Sequence, residues 1–290
     1  MNTNQCCDDC ELLPADDACP PLMCAALNGH MECVDLLLCH CYGSNVDVNA
    51  TNHGGSTALM WAAEQGHADV VSLLLEHKAD VNAKTDERST ALILAVNNDH
   101  IECVRRLLAV DGIDVDAFDA DDNSAMSLAV MEGCETIVSM LIEVGKANVN
   151  ARASDQTTAL MLASAYGAIE CVRLLLAVDG IEVNAVDDKG DTALMCASMN
   201  GHADIVSVLI EHKANVNAVA MLVAPTPCNG WTGGRTALMG AAQYGCTACV
   251  ELLLRNGARC DLRDADGHTA AEIAQMAGHD ALATTIETFV

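Results

Sequence analysis

The sequence predicts an all-α solenoid of about seven to eight stacked repeats. The main observation is an internal repeat whose copies follow one another at steps of 33, 34, 34, 34, 44 and 33 residues, counted from the second copy. A fixed period of this size is typical of one supersecondary unit that buries its apolar side only against its neighbours. The low aromatic content of 2% agrees, since small and aliphatic side chains suit closely packed helix layers. The copies begin at Pro21, Thr57, Thr90, Ser124, Thr158, Thr192 and Thr236, with a weaker one at Thr269.

Each repeat opens with a short amphipathic helix. In the second copy, Thr57 precedes apolar residues that recur at every helical turn, Ala58, Leu59, Ala62 and Ala63. Thr57 is the predicted N-cap, because its hydroxyl can accept a hydrogen bond from a backbone N–H of the first turn. Ser or Thr at this position in most copies follows from that role.

A second helix and an extended finger complete the repeat. After Gly66 and His67, a broader apolar face is formed by Val70, Val71, Leu73, Leu74 and Leu75. The segment 79–83 is too short and polar for another helix, and turn residues follow it, so we predict a hairpin-like finger there.

The order of helix, helix and finger, with Thr-x-Leu, Gly-His and Asp-Val-Asn-Ala at fixed offsets, resembles the ankyrin repeat. The resemblance covers the chain from about Ala15 to its end. It implies one ankyrin repeat domain over residues 15–290, after a Cys- and Asp-rich tail at 1–14 and with an insertion near 219–234. At the third position of the first helix the family usually has His, whereas Met60 and its equivalents stand here, which favours packing over a hydrogen bond.

Three fingers depart from the family pattern. The turn glycine of the other repeats is replaced by Arg88, Asp122 and Gln156 in the middle of the chain. Because Gly tolerates positive φ far better than other residues, we expect these three fingers to bend differently.

Composition excludes several classes of function. The chain has 14 Lys and Arg against 41 Asp and Glu, a net charge of −27, which repels phosphate backbones and anionic membranes. No apolar run approaches the roughly 20 residues that span a bilayer, and the first residues lack the pattern of a secretory signal. We therefore expect an acidic, monomeric, cytoplasmic protein, with the nucleus as an alternative, that contacts neither nucleic acid nor membrane.

Most of the 16 cysteines follow the repeat register. Four share one position of the second helix, where a small buried apolar side chain is expected, namely Cys33, Cys103, Cys171 and Cys249. Four others precede the first repeat and match no repeat position, namely Cys6, Cys7, Cys10 and Cys19. This second group could form a tetrahedral zinc site, but its spacing matches no standard pair of zinc knuckles and the neighbouring aspartates favour a solvated tail. We predict no cofactor and no metal, with zinc as the alternative at these four cysteines.

Motifs of catalysis are missing from the sequence. There is no phosphate-binding glycine loop, no nucleophile motif and no pair of carboxylates with a recurring spacing. The histidines mostly occupy the Gly-His junction, where the family uses the ring to tie the loop. An enzyme is therefore not expected.

The resemblance implies a protein-binding surface on the concave side, formed by finger tips and late residues of the first helix. By alignment the late residues are Glu64, Gln65, Asn97, Asn98, Met131, Glu132, Ala165, Tyr166, Met199, Asn200, Gln243 and Tyr244. Four of them form a predicted apolar stripe, Met131, Tyr166, Met199 and Tyr244, of types enriched at interface centres. The alternative is that these side chains pack on neighbouring helices. The predicted rim consists of His53, Ser56, Ser89, Asn123, Thr157, Asp191 and Arg235.

Three other segments carry candidate contacts. Trp231 lies in the insertion, which could be exposed for binding or could fold over its own repeat. Glu287–Val290 resembles a ligand of PDZ domains, although Ile286 and Phe289 could instead seal the final helix. In the family, asparaginyl hydroxylases modify finger asparagines, and the matching positions are Asn49, Asn82, Asn150, Asn184 and Asn217.

The function expected from the sequence is a non-catalytic scaffold that binds a protein partner. An adaptor that delivers clients to a larger complex, such as a ligase or a modifying enzyme, is the alternative. A third interpretation is a regular stack with little selectivity for partners.

Overall fold

The structure, a computed structural model, describes residues 20–39, 46–220 and 233–289. In these ranges the chain forms sixteen α-helices in eight consecutive pairs. They are α1 Pro21–Leu27, α2 Met31–Leu38, α3 Ala58–Glu64, α4 Ala68–Glu76, α5 Ala91–Asn97, α6 Ile101–Leu108, α7 Ala125–Met131, α8 Glu135–Glu143, α9 Ala159–Tyr166, α10 Ile169–Leu176, α11 Ala193–Met199, α12 Ala203–Glu211, α13 Ala237–Gln243, α14 Thr247–Arg255, α15 Ala270–Met276 and α16 Asp280–Thr288. The predicted all-α repeat solenoid is confirmed. No helix of the described ranges is both long enough and apolar enough to cross a membrane.

The helix pairs belong to two compact units. Unit 1 comprises Met1–Ala129 and Thr136–Asn148, and unit 2 comprises Val130–Glu135 and Val149–Val290. Within unit 1, α1, α3 and α5 pack side by side in one layer and α2, α4 and α6 in the other. Within unit 2, α9, α11, α13 and α15 form one layer and α10, α12, α14 and α16 the other. The core of each unit lies between its two layers.

Hydroxyl groups cap the first helices as the sequence predicts. Thr192 Oγ1 accepts from the Met195 backbone N–H at 3.3 Å, and the same bond recurs at Thr90 and Thr236. The fourth repeat uses two serines, since Ser127 N donates to Ser124 Oγ at 3.1 Å and Ser124 N donates to Ser127 Oγ at 2.7 Å. Met195 is 2% exposed, so the methionine at this position packs in the core.

Histidines tie successive repeats together at the helix junctions. The imidazole Nε2 of His100 lies 2.9 Å from the carbonyl oxygen of Glu64, and that of His202 lies 3.1 Å from the carbonyl oxygen of Ala165. The ring leaves no space for a side chain at the junction of the preceding repeat. A Cβ on Gly66, whose φ is +79°, would lie 2.7 Å from Nδ1 of His100, so both the backbone angle and the ring require glycine there.

Asparagines make a second set of ties between the fingers and the next repeat. The side chain of Asn184 donates to the Lys213 carbonyl at 3.2 Å and accepts from the Asn215 N–H at 2.7 Å. Asn82, Asn150 and Asn217 make the same two bonds. The asparagines singled out as possible hydroxylation sites thus carry a structural role in each unit.

The three fingers without glycine keep the common conformation, so the expectation that they bend differently is wrong. Arg88, Asp122 and Gln156 have φ of 62°, 61° and 65°, in the same left-handed region as the glycines of the other fingers. The hydrogen bonds are also the same, since Gln156 N donates to the Ala153 carbonyl as Gly267 N donates to that of Asp264. Bonds on both sides of the turn hold the backbone in place, and the strain of about 1–2 kcal/mol per residue is tolerated.

Replacing Gln156 by glycine should stabilise the protein. Glycine relieves the left-handed strain but has a more disordered unfolded state, so we expect Gln156→Gly to raise the free energy of unfolding by about 0.5–1 kcal/mol. Urea unfolding followed by circular dichroism measures the change. The matched control is Gly267→Gln, where φ is +86° and a Cβ would contact nothing within 4 Å, and which should lower stability by a similar amount. Destabilisation by Gln156→Gly would show that the finger is not strained.

Candidate interaction surface

In unit 1, the late residues of the first helices present a polar surface. Gln65, Asn97 and Asn98 are exposed, and Glu64 is half-buried. The Asn98 side chain donates to the carbonyl of Leu94 in its own helix at 2.9 Å. Burial raises the pKa of the Glu64 carboxyl. None of these four predicted residues exposes an apolar side chain.

Unit 2 differs because it exposes two tyrosines at the late positions. Tyr166, the last residue of α9, is 61% exposed, and Tyr244, which follows α13, is 51% exposed. Asn200, the equivalent residue of the intervening repeat, is also exposed and donates to the Cys196 carbonyl at 2.9 Å. The surface therefore carries two aromatic rings with an amide between them.

The two methionines of the predicted stripe lie deeper than the tyrosines. Met131 and Met199 are half-buried. Met199 packs over Gly240 of the neighbouring helix, because a Cβ added to that glycine would lie 2.7 Å from Cγ of Met199. The structure thus places Met199 partly in the packing between α11 and α13 and leaves its remaining surface between the two tyrosines.

One exposed apolar residue of this surface was missed in the sequence. Met276, at the end of α15, is 70% exposed and corresponds to Gln243 of the preceding repeat. It was missed because the eighth repeat is less similar to the others. Aligning Thr269 with Thr236 nevertheless gives Met276 and Gln243 the same position in the repeat. Met276 extends the exposed apolar surface of unit 2 by one repeat beyond Tyr244.

The finger before α11 holds an unusual carboxylate. Burial raises the pKa of Asp191 to about 6, and the negative charge of Asp187 adds to this, while Lys189 and Arg235 act in the opposite direction. No residue in the described ranges donates a hydrogen bond to the Asp191 carboxylate. The nearby thiol of Cys196 has its pKa raised to about 12, first by burial and then by the charge of Asp191.

Arg235, in the next finger, has a hydrogen-bonding partner on α13. Its side chain is buried, and Nη1 donates to Oε1 of Gln243, which is half-buried on α13. Of the other predicted rim residues, His53 is exposed, whereas five are half-buried, namely Ser56, Ser89, Asn123, Thr157 and Asp191. Arg235 is thus a support for Gln243, and its buried side chain adds little to the rim.

Several predicted residues lie outside the described residues. These are the possible zinc ligands Cys6, Cys7, Cys10 and Cys19, and Trp231 of the insertion. The two ends of the insertion are joined, since Ala220 N donates to the Arg235 carbonyl and Gly234 N to the Ala220 carbonyl, both at 2.7 Å.

The C-terminal tetrapeptide is largely helical. Glu287 and Thr288 belong to α16, and Thr288 Oγ1 donates to the Thr284 carbonyl at 2.9 Å; Phe289 follows the helix, and Val290 lies outside the described residues. A PDZ ligand adds to a sheet as an extended strand, so binding in that mode requires the last helical turn to unwind.

The cysteines of the shared second-helix position are packing residues. Cys103, Cys171 and Cys249 are buried, and Cys33 of the first repeat is half-buried. Burial raises the pKa of Cys103 and Cys171 to about 11 and that of Cys249 to about 12. Thiols held so firmly in the protonated form are poor nucleophiles and poor metal ligands at neutral pH.

Asp191 should make the stability of the protein depend on pH. Because its folded pKa is raised to about 6, folding favours the protonated carboxyl, and this stabilisation is complete below about pH 4 and is lost as the pH rises through 6. We expect Asp191→Asn to raise the free energy of unfolding at pH 7.5 by about 1–2 kcal/mol, after allowance for partial contact with water, and to have little effect at pH 4. Urea unfolding at the two pH values measures this.

The control for this measurement is Asp188→Asn, which changes an exposed carboxylate of the same finger. It should alter stability little at either pH. An equal gain from Asp191→Asn at pH 4 and pH 7.5 would contradict the assigned burial of the charge.

Comparison with known proteins matches most of the chain to one family. A family model described as ankyrin repeats (3 copies) matches residues 2–85, 82–153 and 145–220, and a second, described as ankyrin repeats (many copies), matches residues 222–274. The matches cover both units, and the first of them overlaps the predicted tail at 1–14.

Individual relatives match over shorter segments. The chain is 43% identical over 91 residues to the probable E3 ubiquitin-protein ligase XBOS33 of Oryza sativa subsp. japonica, which is 31% of this chain and 16% of the relative. It is also 43% identical over 91 residues to the E3 ubiquitin-protein ligase XBAT33 of Arabidopsis thaliana, 31% of this chain and 17% of that protein. Inversin of Canis lupus familiaris is 36% identical over 88 residues, 30% of this chain and 8% of inversin. The chain covers about a sixth of the length of the first two relatives.

Proposed function

Because the chain belongs to the ankyrin-repeat family, we propose that it is a non-catalytic scaffold that binds a protein partner through the late first-helix surface of unit 2. Ankyrin repeats are a protein-interaction fold, and their stacked surface offers binding positions without a closed pocket. The observation that carries the proposal is the exposure of Tyr166 and Tyr244 by 61% and 51%. The chain has only three tyrosines, and two of them lie at equivalent late positions of one unit.

The chemistry of the surface supports this assignment. Tyrosine offers a large rigid apolar ring together with a hydroxyl, and it is enriched among residues that dominate binding energy. Met199 between the two rings and Met276 beyond them add apolar area that can adjust to a partner. Neighbouring helices lie about 10 Å apart, so Tyr166 and Tyr244, two repeats apart, are separated by about 20 Å. An extended segment of about six residues, or a helix of about thirteen, covers that distance.

The proposal involves no reaction at this surface. Its exposed side chains are tyrosine, methionine and asparagine together with the carboxylate of Glu132, and the buried cysteines are held in the protonated form. We also propose a cytoplasmic monomer, with the nucleus as alternative, that binds neither nucleic acid nor membrane, supported by the net charge of −27. A zinc site at the N-terminal cysteines and a PDZ contact at Glu287–Val290 stay secondary candidates.

An adaptor of a larger complex is the second candidate function. Three of the relatives are named as E3 ubiquitin-protein ligases or probable ones, and each matches over 91 residues. In such a role the same surface would hold the client, and another part of the protein or a bound subunit would supply the catalysis. Co-purification of a ligase or modifying enzyme in stoichiometric amount distinguishes the adaptor from a simple scaffold.

Removing both tyrosines should weaken partner binding with little effect on stability. We expect the double variant Tyr166→Ala/Tyr244→Ala to lose about 10- to 100-fold in affinity, because exposed aromatic residues at interface centres contribute most of the binding energy. Quantitative affinity capture identifies proteins retained by the wild type and lost by the variant, and titration calorimetry with the purified partner gives the affinities.

The matched control for this experiment is Met31→Ala/Leu36→Ala. Met31 and Leu36 are 49% and 53% exposed on α2 of unit 1, so the control removes a similar exposed apolar area elsewhere. It should retain the partner. A partner that binds the tyrosine variant as tightly as the wild type would contradict the proposed surface.

A further inference from the structure

We propose that the surface of unit 2 recognises a basic side chain of its partner, a Lys or Arg that docks on Asp191 while apolar residues beside it cover Tyr166 and Tyr244. The inference rests on the proposed function and adds the chemistry of the partner. The expected partner is a protein segment in which a positive charge is flanked by apolar side chains.

The position of Asp191 places its carboxylate in the middle repeat of the surface. Asp191 directly precedes Thr192, the N-cap of α11, and α11 packs between α9 and α13. Tyr166 ends α9, and Tyr244 follows α13. The tyrosines lie at the late ends of their helices and Asp191 at the early end of α11, about 10–12 Å away along the helix direction. A partner segment that covers the tyrosines must therefore also extend along α11 toward its early end for a Lys or Arg side chain to contact Asp191.

The fold does not need an acid at this position. The equivalent finger residues of the neighbouring repeats are Ser56, Ser89, Asn123, Thr157, Arg235 and His268. The backbone N–H of Asp191 donates to Oδ1 of Asp187 at 2.8 Å, and a residue of any type can make this bond. The turn thus needs only the backbone N–H of residue 191, and it does not use the carboxylate of Asp191.

The negative charge of Asp191 is only partly compensated by positive charges of the chain itself. The charged and titratable groups that act on it are Asp187, Lys189 and Arg235, and Cys196 lies close by. No residue in the described ranges donates a hydrogen bond to the Asp191 carboxylate, on which Arg235 acts only through its charge. A half-buried carboxylate without a hydrogen-bonding partner destabilises the free protein, and a cation brought by a partner relieves this.

A cation from outside is also favoured by the overall charge. The net charge of −27 attracts basic segments and speeds their association. The insertion at 219–234 cannot supply the charge itself, because it contains neither Lys nor Arg.

Docking of a cation stabilises the ionised form of Asp191, so binding releases a proton between about pH 5 and 7. Affinity for such a partner should therefore rise about 5- to 10-fold from pH 5 to pH 7.5.

A displayed library of random 16-residue peptides, selected on the full chain at pH 7.5, provides the probe. Enriched peptides should contain a Lys or Arg next to Leu, Ile, Phe or Trp. Fluorescence anisotropy with one enriched peptide should show about 10-fold weaker binding to Asp191→Asn and a loss of the pH dependence. Replacing the peptide's basic residue by Gln should weaken binding to the wild type and have no further effect on Asp191→Asn.

Two results would overturn the inference. They differ in whether they also contradict the proposed surface. If an enriched peptide needs Tyr166 and Tyr244 and binds Asp191→Asn as tightly as the wild type, the basic contact is wrong and the proposed surface holds. If its binding is unchanged both in Asp191→Asn and in Tyr166→Ala/Tyr244→Ala, the basic contact and the surface are both wrong. Because Asp191→Asn removes an unfavourable charge, its folding is not at risk.

Discussion

Packing between neighbouring repeats is the interaction on which the rest of the structure depends. A single helix pair cannot bury its own apolar face, so each pair within a unit is completed by the pairs beside it. The ties that set this packing repeat in register, with a capping hydroxyl at Thr192, a histidine at His202 and a bridging asparagine at Asn184. Every position that takes part in these ties is restricted to a few residue types, whatever the protein binds.

The remaining positions are those where the chain can vary at little cost to the fold. Exposed Tyr166 and Tyr244, exposed Met276 and half-buried Asp191 all occupy positions at which the residue type differs between repeats. A half-buried carboxylate without a hydrogen-bonding partner does not stabilise the unit that carries it. The concentration of these residues on one surface of unit 2 is the reason for assigning the binding function there.

Much of the fold could be predicted from the sequence because it follows from local rules that apply in each of the eight repeats. The capping threonine, the glycine before the junction histidine and the buried cysteines at Cys103, Cys171 and Cys249 each have one physical reason and one position. The conformation of the finger at Gln156 could not be predicted in this way, because bonds on both sides of the turn outweigh the preference of a single residue.

The interaction surface was predictable only in part. Alignment located the tyrosines, but it could not show that Met199 packs over Gly240, since that depends on contact between two helices. The shifted pKa of Asp191 likewise comes from burial and from charges in the same and the next finger, and neither can be seen along the sequence alone. Met276 was missed because the last repeat has diverged most from the others.

Photo-crosslinking tests the central claim most directly, because it maps contact between the partner and single positions of the proposed surface. A benzophenone amino acid is introduced at position 166, at position 244 or, as a control of similar exposure, at position 36 of α2. The proposed surface predicts crosslinks to one partner from positions 166 and 244 and none from position 36. Crosslinking from position 36 with none from 166 or 244 would contradict it.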